Sequence, residues 1–358
     1  MMGSSSNKGK QTPLMNLSLF KNSSTLKALE TFMQKYRVPL MVLLFIFLCI
    51  FPFFTNKSYV LGVMCRIFLY SVLAGALNTI NGYSGQFCLG VAGFFCVGAY
   101  SEAILATTLK MNFWIILPIA GLITAAIGLL VALPTLKMQG IYLAIVTLGF
   151  SEIARLVALN WTSLTGGPMG IKGIPVPEIF GFTIRSTKHF YYLYLFVAIL
   201  FLFVTSRVIR SRIGRAWMSI REDQLAAKSL GVFTSRYKAL NFMYGAFWAG
   251  IGGAIYAPYV RFIDSTYFTL DEGWNILSMM IIGGQGTLVG PIVGSVIVNY
   301  LTELLRPIGQ WRLVAYALLI IVMMWWRPQG LAGASNSIVA QKGETKLRKK
   351  PVIKEVRK

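Results

Sequence analysis

Of 358 residues, 56% are apolar and only 13% charged, and the mean hydropathy is +0.64. An ordinary soluble domain is excluded: at roughly 20 residues per crossing, that apolar content is enough for about ten helical spans. The 34 basic residues outnumber the 12 acidic ones, yet 23 of the basic and five of the acidic residues fall in 1–37, 207–238 and 327–358, beside apolar runs. Positive charge flanking spans marks cytoplasmic segments, so the excess points to a lipid bilayer and not to nucleic acid.

In chain order, residues 1–37 read as a cytoplasmic leader, too long and polar for the charged leader of a cleavable signal. Apolar runs at 38–54, 59–80, 86–107, 113–133, 139–160, 190–206 and 240–260 predict seven helical crossings. Starting inside, they place the basic segment 207–238 in the cytoplasm and 161–189 outside as an extracytoplasmic loop. Region 273–305 reads as two apolar pieces around Gly283-Gly284-Gln285-Gly286-Thr287-Leu288-Val289-Gly290-Pro291. With a last span at 311–326 and the basic cytoplasmic tail 327–358, both pieces are taken to cross. The expectation is an all-α polytopic membrane protein of about ten transmembrane helices (eight to ten), with 38–326 as its membrane domain. The piece at 273–284 is short for a full crossing, and a re-entrant hairpin is the alternative.

Little in the chain suggests catalysis. Cys49, Cys65, Cys88 and Cys96 all lie in apolar stretches at spacings that fit neither disulfides nor a metal site. His189 is the sole histidine, so no two-imidazole chemistry is available, and no phosphate loop or nucleophile elbow occurs. Small residues recur every fourth position at Gly245, Ala249 and Gly253, at Ala246, Gly250 and Ala254, and at Gly286, Gly290 and Gly294. Such spacing lets helix backbones approach closely. Glu152 and Arg155 share a helix face and predict an ion pair, while Arg66, Glu102 and Glu303 sit nearer span ends.

The most informative stretch is Gly214 to Val232, GRAWMSIREDQLAAKSLGV. Ser219 and Glu222 have capping-box spacing, and Gly231 is suited to end a helix in the left-handed conformation. This predicts one cytoplasmic helix over 220–230 displaying Ala226 and Ala227. Small side chains suit docking into a groove on another protein; an amphipathic helix lying on the inner leaflet is the alternative.

Leu225-Ala226-Ala227-x-x-x-Gly231 resembles the E-A-A-x-x-x-G coupling signature of ABC importer permeases, with leucine in place of glutamate. Asn81 to Tyr100 (NGYSGQFCLGVAGFFCVGAY), Gly140 to Gly170, Ile282 to Gly294 and Trp326 to Leu331 are similar, in order, to segments of the branched-chain amino acid ABC permeases of the LivM type. The likeness runs from about 81 to 331. Cys88 and Val91 stand where that family often has serine and histidine.

The resemblance implies an ABC importer permease fold and a non-catalytic transport subunit of the cell membrane. It implies pairing with a second permease subunit, as a heterodimer or homodimer. Two cytoplasmic ATPase subunits and an extracytoplasmic substrate-binding protein complete the expected assembly, with ATP bound by the partner subunits and no cofactor in this chain. Arg215, Arg221, Glu222, Ala226, Ala227 and Gly231 are then the ATPase-coupling candidates. A leucine-like solute needs a smooth path with a few polar groups, for which Gly85, Gln86, Thr147, Gly149, Glu152, Gly283, Gly284 and Gly286 are candidates. The 161–189 loop, with Trp161 and the Gly166-Gly167-Pro168 turn, is the expected surface for the binding protein. A permease of the same family for urea, short amides or other amino acids is the nearest rival, and a self-contained secondary transporter a more distant one.

Overall fold

A computed structural model of the chain describes residues 37–55, 57–136, 138, 140–179, 182–305, 311, 314, 317–318, 321, 325 and 330–331. The leader before Arg37, the basic tail beyond Leu331 and most of the predicted last span lie outside the described residues. Helix α1 (Arg37–Phe54) belongs to a separate compact unit, residues 1–56, and the rest of the fold to residues 57–358.

The second unit is a helical bundle. Helix α2 runs over Ser58–Asn78 and widens into a π turn at Thr79–Tyr83; α3 (Val91–Thr108), α4 (Phe113–Thr135), α5 (Ile141–Asn160) and α6 (Thr187–Arg210) follow. Two short helices, α7 (Arg212–Glu222) and α8 (Gln224–Ser229), lead into the long α9 (Thr234–Val260), and α10 (Leu270–Gly283) and α11 (Gly290–Leu304) form a hairpin. The five segments Ser58–Tyr83, α3, α4, α5 and α6 are long and apolar enough to cross a membrane. Helix α9 is less apolar because its faces are built from small residues, but its 27 residues extend about 40 Å at 1.5 Å per residue.

Helix starts are set by side chains that accept a free backbone N–H. Asn112 accepts from Trp114, Ser186 from Lys188 and Ser211 from Ile213, which satisfies donors a helix leaves open in its first turn. The bundle core is α9, buried on nearly every side from Gly245 to Pro258. It packs mainly on α4 and α3. At the α3–α9 crossing a Cβ on Gly98 would overlap the backbone of Gly250. Two of the predicted small-residue rows thus serve close helix approach, which is where packing contributes when lipid offers no hydrophobic drive.

The third row divides. Gly290 and Gly294 pack against the backbone of α10 at Gly283 and Met279, whereas Gly286 lies in the intervening loop in a left-handed conformation. Helix α10 has 14 residues, about 21 Å, short of a bilayer core of about 30 Å. It begins level with Tyr70, half-way along α2, through a Tyr70–Glu272 hydrogen bond, and its loop ends level with Asn78 and Gly82. A hairpin that crosses twice and one that re-enters both return the chain to the same face, so tail charge does not separate the two arrangements.

The described residues of the predicted loop 161–189 carry regular structure. After a one-turn helix at Thr162–Thr165, strand β1 (Ile171–Lys172) pairs antiparallel with β4 (Phe262–Ile263), just beyond α9, and β2 (Glu178–Ile179) pairs with β3 (Phe182–Thr183). These two-residue strands are the departure from an all-α chain.

Candidate functional site

Where one helix was expected over 220–230, there are two. Helix α7 continues to Glu222 because Ala216, Trp217 and Ile220 form its buried face. Trp217 is 1% exposed, and its Nε1 donates to the carbonyl of Tyr237 at 2.9 Å, which fixes α7 to the start of α9. Ser219 is therefore inside a helix, its hydroxyl donating back to Ala216 O, and caps nothing. Asp223 breaks the helix and starts α8, accepting from the N–H groups of Leu225 and Ala226 at 2.7 and 3.0 Å. At the far end Gly231 is left-handed, φ +85°, and Val232 N–H returns to Ala227 O at 3.0 Å, the helix ending expected there.

The two short helices form an elbow with an inner and an outer side. On the inner side Ala227 is buried, and Lys238 of α9 donates to Gln224 Oε1 at 2.6 Å. On the outer side Leu225, Leu230 and Phe233 are 77%, 84% and 76% exposed, with Ala226 exposed among them. Only Ala226 of the expected alanine pair is displayed. Arg215 is exposed, its Nη1 donating to Arg210 O at 3.0 Å, and Glu222 is exposed too.

Arg221 joins this elbow to the bundle. Its Nη1 donates to the carbonyl of Gly82 in the π turn of α2. Asn78, one residue before that turn, bonds the α10–α11 loop twice: its Nδ2 donates to Thr287 O, and its Oδ1 accepts from Gly286 N–H, both at 2.8 Å. Gly286 sits at φ +72°, a left-handed conformation that glycine adopts freely, and a Cβ there would press on the Arg221 guanidinium and come within 3.1 Å of Gly82 O. Gly85 flanks the same arginine, with room for a Cβ only 3.1 Å from its Cγ. Arg221, Gly85, Gly286 and Gly284 thus converge where α7, the end of α2 and the α10–α11 loop meet. Gly284 lies against Gly330, and Leu331 N–H donates to Ile282 O at 3.1 Å, so the described residues just before the tail close on the same loop.

The other path candidates lie elsewhere. Gln86 is buried, donating to Ser84 Oγ at 2.7 Å. Thr147 accepts from Leu89 N–H at 3.0 Å and Ser151 from Gly93 N–H at 2.6 Å, so both bind α5 to the start of α3. Gly149 has nothing within 4 Å of a Cβ position. Glu152 and Arg155 pair on α5 as expected, half-buried. Gly283 packs on the backbone of Gly290. Sequence reasoning passed over Asn78 and Asn81. Asn81 pairs its amide with both backbone groups of Cys88, at 3.0 and 3.1 Å; a paired asparagine in an apolar run was the available signal.

Comparison with known proteins decides the family. Residues 59–324 match the family described as the permease component of the branched-chain amino acid transport system. The chain belongs to this permease family. It is 36% identical to the high-affinity branched-chain amino acid transport system permease protein LivM of Salmonella typhimurium, over 86% of this chain and 77% of that protein. Identity to the corresponding LivM protein of Escherichia coli is 35%, over 81% and 74%. Similarity extends at 25% to the permease protein LivH of Salmonella typhimurium, over 74% of this chain and 91% of that one. No solved structure matches the chain. Family and apolar helices together make it a multi-pass membrane permease.

Proposed function

We propose that this permease is the membrane subunit of an ATP-driven importer for branched-chain, hydrophobic amino acids. The observation that carries the coupling role is the outer side of the α7–α8 elbow. Leu225, Ala226, Leu230 and Phe233 are apolar and exposed within one short stretch, on a support fixed to α9 by Trp217, and clustered exposed apolar side chains mark a contact site. The surrounding Arg212, Arg215, Lys228 and Arg236 support a cytoplasmic position for this end by the positive-inside rule. A groove on a cytoplasmic ATPase is the matching occupant, and ATP is bound there and not in this chain. When the ATPases close, the elbow moves as a body. Arg221 then transmits that movement to the π turn of α2 and the α10–α11 loop, shifting the bundle between inward-open and outward-open arrangements.

Support for a second permease subunit comes from α5. Its Glu152–Arg155 pair stands among exposed Ile145, Ile153, Leu156 and Val157, and an ion pair on a lipid-facing helix is costly. A partner subunit over that face would shelter the pair. The 161–189 loop, tied to the chain just beyond α9 through Ile171–Lys172, suits an extracytoplasmic binding protein.

The test is co-purification and uptake. Replacing Leu225 with Asp or Ala226 with Trp should leave membrane insertion intact, abolish retention of the ATPase subunits and lower ATP-driven leucine uptake at least about tenfold. Normal uptake in both variants would refute the coupling assignment.

A further inference from the structure

The last turn of α2 departs from α geometry. A π turn, whose N–H groups reach back five residues in place of four, is rare, occurs singly inside helices and is frequent at functional sites; here it covers Thr79–Tyr83. Thr79, Ile80, Asn81 and Gly82 are all weak helix formers, so the local sequence gives the α form little advantage. The carbonyls of the turn are met by groups beyond it. Gly82 O accepts from Arg221 of α7, Ile80 O from Gln86 N–H at 3.2 Å, and Thr79 O from Asn241 Nδ2 of α9 at 3.0 Å.

Asn241 stands on the α9 face that meets this junction. One turn earlier Lys238 bonds Gln224 of α8, and one turn later a Cβ on Gly245 would touch Ile80 and come within 3.1 Å of Ala76 O. Trp217 fixes α7 to the same start of α9. The elbow and the first turns of α9 therefore grip the π turn at two carbonyls, Gly82 through Arg221 and Thr79 through Asn241.

Packing does not explain this asparagine. It is 0% exposed, and its Oδ1 has no hydrogen-bond partner among the described residues. A buried amide with one end unbonded costs stability, and leucine would fill a similar volume without that cost. What leucine lacks is the donor that holds Thr79 O. Were Thr79–Tyr83 α-helical, Tyr83 N–H would turn to Thr79 O, four residues back, where Asn241 now bonds. The chain beyond would shift by one residue, a rotation of about 100°, and that chain carries Gly85, which lies against Arg221.

We propose that the π turn of α2 is a register switch, with Asn241 the positioning residue that holds its π form, and that transport carries Thr79–Tyr83 between π and α forms as the elbow moves. The proposal rests on the functional reading above and adds the element that yields to the movement.

The test uses the complete transporter, with permease pair, ATPase subunits and binding protein, in nanodiscs and proteoliposomes. Backbone hydrogen exchange over 79–86 is compared between the nucleotide-free complex and the complex trapped with ATP and vanadate. Exchange at Tyr83 and Ser84 should differ at least about tenfold between the two states, as a change of acceptor requires. Asn241→Leu should insert, unfold at the wild-type temperature and keep ATP turnover, while leucine moved per ATP falls about fivefold or more, the scale of single side chains on a coupling path. Its nucleotide-free exchange over 79–86 should move toward that of the trapped complex. Equal exchange in the two states of the unaltered complex, in a transporter that imports leucine on ATP, would overturn the switch alone, whether or not the variant folds. A lowered unfolding temperature with leucine per ATP unchanged would make Asn241 a packing residue and overturn it likewise. Absence of ATP-driven leucine uptake by the unaltered complex would remove the functional reading and the switch together.

Discussion

Arg221 ties the elbow to the end of α2 and to the α10–α11 loop, bonded to Gly82 and held against Gly286. Arg221→Ala should leave ATPase subunits bound and ATP turnover running while leucine uptake falls at least about tenfold, read as leucine moved per ATP in proteoliposomes. Equal coupling in the variant would remove Arg221 from the transmission path. Asp223 tests the elbow's own construction. Asp223→Ala loses two N-terminal acceptor bonds and should cost about 1 kcal/mol, whereas Ser219→Ala should be near neutral, as thermal unfolding of the detergent-purified chain would show. Sequence favoured Ser219 because capping-box spacing is a local rule and both residues are good caps. The choice was made by Trp217 and Ile220, whose burial against α9 carries α7 through to Glu222, and burial of that kind has no local signature. Gly231 was legible because a left-handed ending needs only a glycine followed by an apolar residue.

Among the elements, the repeats of small residues were readable wherever a whole helix face is buried. The α9 rows became crossings with α2, α3 and α4, and Gly98→Leu should force α3 off Gly250. Overpacking of this kind costs at least about 1–3 kcal/mol, and the expected result is loss of folded, monodisperse protein in size-exclusion chromatography. Gly149→Ala, with open space around it, should elute as wild type. The row through Gly286 was misread as one face because spacing alone does not say where a helix stops. Gly284 and Gly286, both at positive φ, end α10 and shape the loop before α11 begins. The same limit hid the depth of α10: two apolar pieces were visible, but only the Tyr70–Glu272 contact shows that the first starts half-way along α2.

At the scale of the molecule, composition and hydropathy gave a polytopic helical protein, and short motifs spread from 81 to 331 gave its family, since both signals persist over long stretches. The candidate site was legible as a list and not as an arrangement. Arg221, Gly85, Gly284 and Gly286 meet at one junction, Thr147 holds α5 to α3, and Glu152 pairs with Arg155 on α5. Those groupings depend on contacts between residues far apart in the chain, 58 positions for Leu89 with Thr147 and 208 for Asn78 with Gly286. They separate the α7–α8 elbow from a remote end where Arg66 and Tyr194 line a cavity. The account therefore requires that transport energy enter from outside this chain. The direct test is accumulation of radiolabelled leucine in proteoliposomes containing the permease pair and binding protein, with and without the ATPase subunits and ATP. Concentrative uptake should appear only when ATPase subunits and ATP are both present; accumulation against a gradient by the permeases alone would contradict the account.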